Sequence, residues 1–200
     1  MTINHEKKLI FVHIPKNAGT SIIKAMGAEN IFFDKTLEEY KEHYRGYWDK
    51  YKKFTVVRDP IDRFISAYKF ARMRESSWFS ATGEEGLEKH THHEICNKFD
   101  INEYVKFIYD KREYNRWIIP QTVFISNIEN EIEIDYIIRY ENLSKGLKKI
   151  GIDNIQRLNS SKIDDNSLIS LTKKSKNMLH RIYYSDYQNF SYNKGSFFYQ

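Results

Sequence analysis

The chain has 200 residues, 40% of them hydrophobic and 16% aromatic, enough to bury the core of one domain and too apolar for a disordered chain. Its 32 Lys and Arg outnumber its 27 Asp and Glu, giving a net charge of +5; this favours anionic partners, but no dense basic block marks a nucleic-acid tail, so no nucleic-acid partner is expected. The lone Cys96 excludes an internal disulfide and suits a reducing compartment, and no stretch approaches the ~20 apolar residues of a membrane span, so a cytoplasmic location is expected.

KKLIFVHI (7–14) is an apolar run that ends at a proline and predicts a buried strand. Residues 21–28 then set Ile22, Ile23 and Met26 at helical spacing. TLEEYKEHYRGYWDKYKK (36–53) predicts a short helix, and KFTVV (53–57) a second strand rich in β-branched residues. Asp59 caps the next helix with Pro60 at its first position, and Ile61, Phe64, Ile65, Tyr68 and Ala71 line one face of it. Periodicity is lost over 73–99, which predicts a loop or lid insert. A helix follows at 101–110, then strand candidates at 121–125 and 134–140, a helix ending at Gly151, and a last long helix over 167–187. Strands alternating with helices predict a single α/β domain over residues 1–200, built on a parallel sheet.

Two phrases carry chemistry. HIPKNAGTS (13–21) lies where a strand gives way to a helix, and a helix N-terminus exposes unpaired N–H groups and the positive end of a dipole, a setting for oxyanions. Gly19 would let the backbone approach such a ligand, the Thr20 and Ser21 hydroxyls could donate to it, and Lys16 adds a cation. Thr20-Ser21 after the glycine replaces the Lys-Ser/Thr of a nucleoside-triphosphate loop. The same residues would equally serve an ordinary strand–turn–helix. VVRDPIDRFISAY (56–68) sets Arg58 at the carboxyl end of a strand, with Ser66 on the next helix and Arg63 one turn before it. Arginine and a hydroxyl there make a second anion clamp; the alternative is that Asp59 and Asp62 simply pair with Arg58 and Arg63.

HTHHE (90–94) offers metal-ligating residue types, but no second spaced cluster completes a site, so solvated histidines and no metal are expected. His13 belongs to the first strand and is expected to pack or bond locally, and Cys96 to pack.

Together the two phrases resemble the 3′-phosphoadenosine 5′-phosphosulfate (PAPS)-dependent sulfotransferases. FVHIPKNAGTSIIKAM (11–26) looks like their 5′-phosphosulfate loop and KFTVVRDPIDRFISAY (53–68) like their 3′-phosphate motif. The match is to the carbohydrate (Golgi-type, sulfotransferase family 2) branch, and IIPQTVFIS (118–126), IIRYENL (137–143), RLNSS (157–161) and RIYYSDYQNFSY (181–192) follow in that branch's order. The resemblance implies a P-loop-like three-layer α/β/α fold around a central parallel sheet. It also implies transfer of a sulfuryl group from PAPS to a hydroxyl of a carbohydrate acceptor, leaving adenosine 3′,5′-bisphosphate. By position, Lys16, Asn17, Ala18, Gly19, Thr20 and Ser21 would hold the 5′-phosphosulfate, and Arg58 and Ser66 the 3′-phosphate. Lys16 would also stabilise the leaving group. Related enzymes carry a histidine or glutamate base between the two motifs; His43 is the histidine in that interval, with Glu39 and Glu42 as alternatives. The lack of an anchor segment leads us to expect a bacterial-type soluble member. Two other readings remain open at this point: a small-nucleotide kinase, and a non-catalytic module that binds a nucleotide or an anionic glycan.

Overall fold

The computed structural model describes residues 2–28, 35–73, 91–153, 155 and 170–192. β1 (Ile3–Asn4), β2 (Leu9–Phe11), β3 (Lys52–Val57) and β4 (Tyr136–Arg139) form one sheet in that order. β2, β3 and β4 are parallel, with Phe11 opposite Phe54 and Val57 opposite Arg139, while β1 adds an antiparallel edge. That edge was not expected, since two residues are too short to show a pattern. The helices in chain order are α1 (Gly19–Ala25), α2 (Leu37–His43), α3 (Pro60–Arg72), α4 (Thr91–Lys98), α5 (Ile101–Lys111), α6 (Leu143–Lys149), α7 (Lys173–Ile182) and α8 (Tyr184–Phe190).

Alternation of side chains across the strands creates three layers. Leu9 and Phe11 join Phe54 and Val56 on one face, where α1 brings Ile22 and Ile23 and α6 brings Leu147. Ile10 and Val12 point to the other face, covered by Leu37 and Tyr40 of α2 and by Tyr44 and Trp48 beyond it. A separate helical core packs Phe64, Ala67, Tyr68 and Ala71 of α3 against Ile101, Tyr104 and Ile108 of α5 and Leu179 of α7. Each large side chain buried there contributes about 1.5–3 kcal/mol. The α3 start is as the sequence predicts: the Asp59 carboxylate accepts from the Ile61 and Asp62 N–H groups at 2.9 and 3.1 Å, with Pro60 in the first turn.

Several local expectations are corrected. Residues 121–125 are not a strand but a 3-10 turn, Gln121–Phe124. The Asp186 carboxylate accepts the Gln121 and Thr122 N–H groups at 2.8 Å each, so the donors a strand would offer a neighbour are already used. The segment 73–99 is not wholly loop, because α4 occupies its end; the residues that make α4 amphipathic are His92, His93 and Cys96, all buried, and histidine hid the period. Residues 74–90 of that segment, and RLNSS (157–161), lie outside the described residues. The last long helix breaks at Tyr183 into α7 and α8, and α7 is capped by Thr172, whose side chain accepts from Ser175 N–H. The first strand is shorter than 7–14, since Lys8 has a left-handed backbone (φ 52°). Among the described residues no helix is long and apolar enough to cross a membrane.

Candidate functional site

The chain leaves β2, β3 and β4 on the same carboxyl edge of the sheet, through the loop at 13–18, the junction at Arg58 and Tyr140. Crevices outside that edge are where α/β sheets hold ligands. In the first loop Lys16 and Ala18 both have left-handed backbones, with φ of 72° and 65°. Turns of this kind gather successive N–H groups into a concavity suited to an anion. Ala18 is the cap residue of α1 and places no side-chain hydrogen bond on the leading N–H groups. Thr20 is exposed beside them, and Ser21 is buried.

Gly19 has a steric cause that the sequence did not show. A Cβ built there would lie 2.1 Å from His13 Nε2. The imidazole is buried, sits edge-on to Phe11 and occupies the space any larger residue would need. His13 therefore packs, as expected, and Gly19 is set by that packing as well as by any ligand.

The loop is held from inside. Arg63 is fully buried, and its guanidinium donates to Pro15 O at 3.0 Å and Ile119 O at 2.8 Å. Arg63 thus shapes the loop through those two carbonyls, while the Asp59 carboxylate caps α3. The Asn17 side chain also turns inward: Nδ2 donates to Val56 O at 2.7 Å and Gln121 Oε1 at 2.8 Å. Any ligand contact from Asn17 is accordingly left to its backbone. Gln121 Oε1 accepts in addition from Arg58 N–H at 2.9 Å, and Gln121 Nε2 donates to Arg58 O at 2.9 Å and Asp186 Oδ2 at 3.3 Å. Neither Gln121 nor Asp186 was singled out from the sequence, although both lie within phrases that carry the family resemblance.

The second clamp adjoins the first. Arg58 NH1 reaches Lys16 O at 3.5 Å, and its guanidinium lies over the Tyr140 ring, 4.5 Å from the centroid. Among the described residues its buried Nε has no hydrogen-bond partner. Asp59 N–H donates to Glu141 Oε1, and Glu141 Oε2 accepts from Tyr192 Oη, each at 2.9 Å, so the turn after β4 and the segment at Tyr192 brace this junction. Lys16 rests its ammonium over the Phe70 ring, 3.6 Å from the centroid, a cation–π contact of about 0.5–2 kcal/mol. Phe70 follows Ser66 by four residues and Arg63 by seven on α3, so one face of that helix looks onto the loop. Lys16, Gly19, Arg58 and Ser66 are thereby brought to one edge.

His43 is not brought there. Tyr40 and Tyr44, one helical turn apart, face the sheet: Tyr40 Oη accepts from His13 N–H at 3.1 Å, and Tyr44 Oη accepts from Thr2 N–H at 3.1 Å. Thr2 O in turn accepts from Phe11 N–H, so α2 runs away from the loop as it proceeds. His43 is exposed at its last position, its ring edge-on to Tyr44. Glu42 is paired with Arg45 on the surface. Glu39 lies in the first turn, the end nearer the loop, in a capping box with Thr36. The Thr36 N–H bond holds its carboxyl below the usual glutamate range, and Lys35 and Arg116 add to this.

The histidine cluster does not form a solvated patch. His92 Nδ1 bonds Tyr104 Oη at 2.7 Å and His93 Nδ1 bonds Ala71 O at 2.6 Å, both buried, and His90 lies outside the described residues. Burial pushes the Cys96 thiol up to about 12, so it packs and does not react. A cleft of about 400 Å³ lies along α2, lined by Glu38, Lys41, Glu42, Arg45, Trp48 and Glu133. It includes none of the residues of the sheet edge, and its carboxylates outnumber its cations, a poor match for an anionic donor.

A family model described as "Sulfotransferase family" matches residues 1–193. No curated protein and no solved structure matches.

Proposed function

The chain belongs to the sulfotransferase family, within family 2, and from that premise we propose that it transfers a sulfuryl group from PAPS to a hydroxyl of a carbohydrate acceptor, as a soluble cytoplasmic protein. The observation that carries the donor assignment is the meeting of the two anion clamps: Arg58 NH1 and Lys16 O are 3.5 Å apart. One nucleotide with phosphate at both 3′ and 5′ ends spans such a pair. The loop N–H groups at Lys16 to Gly19, with Thr20 and Ser21, take the 5′-phosphosulfate. Arg58 takes the 3′-phosphate through a forked guanidinium, and Ser66 adds a hydroxyl.

Sulfuryl transfer is the analogue of phosphoryl transfer: the acceptor oxygen forms a bond to sulfur as the bond from sulfur to the bridging phosphate oxygen breaks, and negative charge builds on that oxygen. Lys16, whose ammonium lies over the Phe70 ring at this edge, is the loop cation placed to meet that charge. The acceptor proton goes to a base. Glu39, in the first turn of α2 at the end nearer the loop, is better placed than the exposed His43 at the far end. A phosphoryl-transfer reading is disfavoured, because the loop lacks the Lys-Ser/Thr pair after its glycine.

Binding and transfer test this. Adenosine 3′,5′-bisphosphate should raise the melting temperature, since a ligand that binds only the folded state stabilises it, and ATP with Mg²⁺ should not; the opposite order sinks the donor assignment. Labelled sulfate should pass from PAPS to at least one member of a glycan panel. Lys16→Ala should lower kcat by about a hundredfold or more with a change of only a few-fold in bisphosphate affinity. Equal losses in both would mean that Lys16 serves binding alone.

A further inference from the structure

Gln121 is the residue that, among those described, bonds to both phosphate clamps. Its Oε1 accepts from the Asn17 side chain at 2.8 Å and from Arg58 N–H at 2.9 Å, and its Nε2 donates to Arg58 O at 2.9 Å. Gln121 itself is fixed by a fully buried carboxylate, Asp186, which accepts from Gln121 N–H and Nε2 and from both Thr122 N–H and Oγ1. The amide is thus held at each end, and every bond it makes inside the site goes to residue 17 or residue 58.

Each clamp also has supports of its own. The first loop is tied to Arg63 through Pro15 O, and Asn17 to Val56 O. The second junction is tied by the Asp59 cap and by Glu141. Removing the amide of Gln121 therefore leaves two clamps that still exist but lose the side chain bonded to both, with the 3.5 Å Arg58 NH1–Lys16 O contact and the Arg63–Pro15 O bond as remaining, looser ties between them. A ligand gripped at two points gains from the second grip only if the spacing matches, because that grip acts as an intramolecular step.

We propose that Gln121, seated on Asp186, is a positioning residue that sets the distance between the two clamps and so selects nucleotides phosphorylated at both 3′ and 5′ ends over those phosphorylated at one. This rests on the donor reading above, and the measurement keeps the two apart.

The test is calorimetric binding of adenosine 3′,5′-bisphosphate and of adenosine 5′-monophosphate to the whole chain, comparing wild type with Gln121→Met, an unbranched side chain of similar size without the amide. Wild type should prefer the bisphosphate. In Gln121→Met that preference should shrink by about tenfold or more, while affinity for the monophosphate changes by less than about threefold. Asn17→Ala removes the arm to the first loop together with that loop's tie to Val56 O and should shrink the preference in the same sense; it carries the test if Gln121→Met does not fold. An undiminished preference, with both ligands weakened equally, overturns the inference and leaves Gln121 a stability residue. Wild type that binds neither nucleotide overturns the donor reading and this inference with it.

Discussion

Arg63, Gln121 and Asp186, which back the first loop, are fully buried and bond mainly to backbone groups and to one another. On the outward side of α2, which flanks the same edge from the other face of the sheet, the polar contacts include surface ion pairs: Lys35 with Glu39 at 3.3 Å, Lys41 with Glu133 at 2.8 Å, and Arg45 with Glu42. Exposed pairs of that kind contribute about 0–1 kcal/mol and can be rearranged, whereas a buried polar network holds one geometry and loses heavily when a member is removed. The buried wall suits a donor of fixed shape. The ion pairs along α2 can be rearranged at little cost.

Substitutions in the two walls should separate accordingly. Arg63→Met should have the largest effect, because it leaves the Pro15 and Ile119 carbonyls unpaired inside the protein; a loss of about 3 kcal/mol or more is expected in denaturant unfolding, with nucleotide affinity falling as well. Unchanged stability would show that the buried wall is not what fixes the loop. Gly19→Ala comes next. Its methyl meets the His13 ring, so about 1–3 kcal/mol should be lost, and the double variant with His13→Ala should recover part of it. A strictly additive double variant would break the link drawn between the two residues. On α2 the effects should be confined to turnover. Glu39→Gln should lower kcat by about a hundredfold, while His43→Ala stays near wild type in steady-state assays. A larger loss at His43 than at Glu39 would reverse the ordering of the two.

What could be read from the chain was local. Asp59-Pro60 predicted the α3 start because cap and first-turn residues act over three positions, and the glycine loop was visible because strand, turn and helix follow directly. What could not be read joins distant residues: Gln121 meets Asn17 across 104 positions and Asp186 across 65, and neither a glutamine nor an aspartate advertises such a role. The Tyr140 face under Arg58 was hidden for the same reason. The surroundings of His43 were hidden for a different one. Composition placed a histidine in the right interval, but the i,i+4 tyrosines decide which side of α2 meets the sheet, and they leave His43 outside. The strand expected at 121–125 failed because apolar content says nothing about where N–H groups go, and here a carboxylate takes them.

The bond between Asp186 and the turn at Gln121 also has a meaning in time. During synthesis the glycine loop leaves the ribosome first, yet the side chain that seats Gln121 follows 65 residues after the turn it holds. Contacts of such separation form late in folding. A nascent chain with helices α1 to α6 already in place would therefore still lack the carboxylate that fixes the turn at Gln121, and the loops of the carboxyl edge gain this buried backing only when α8 docks.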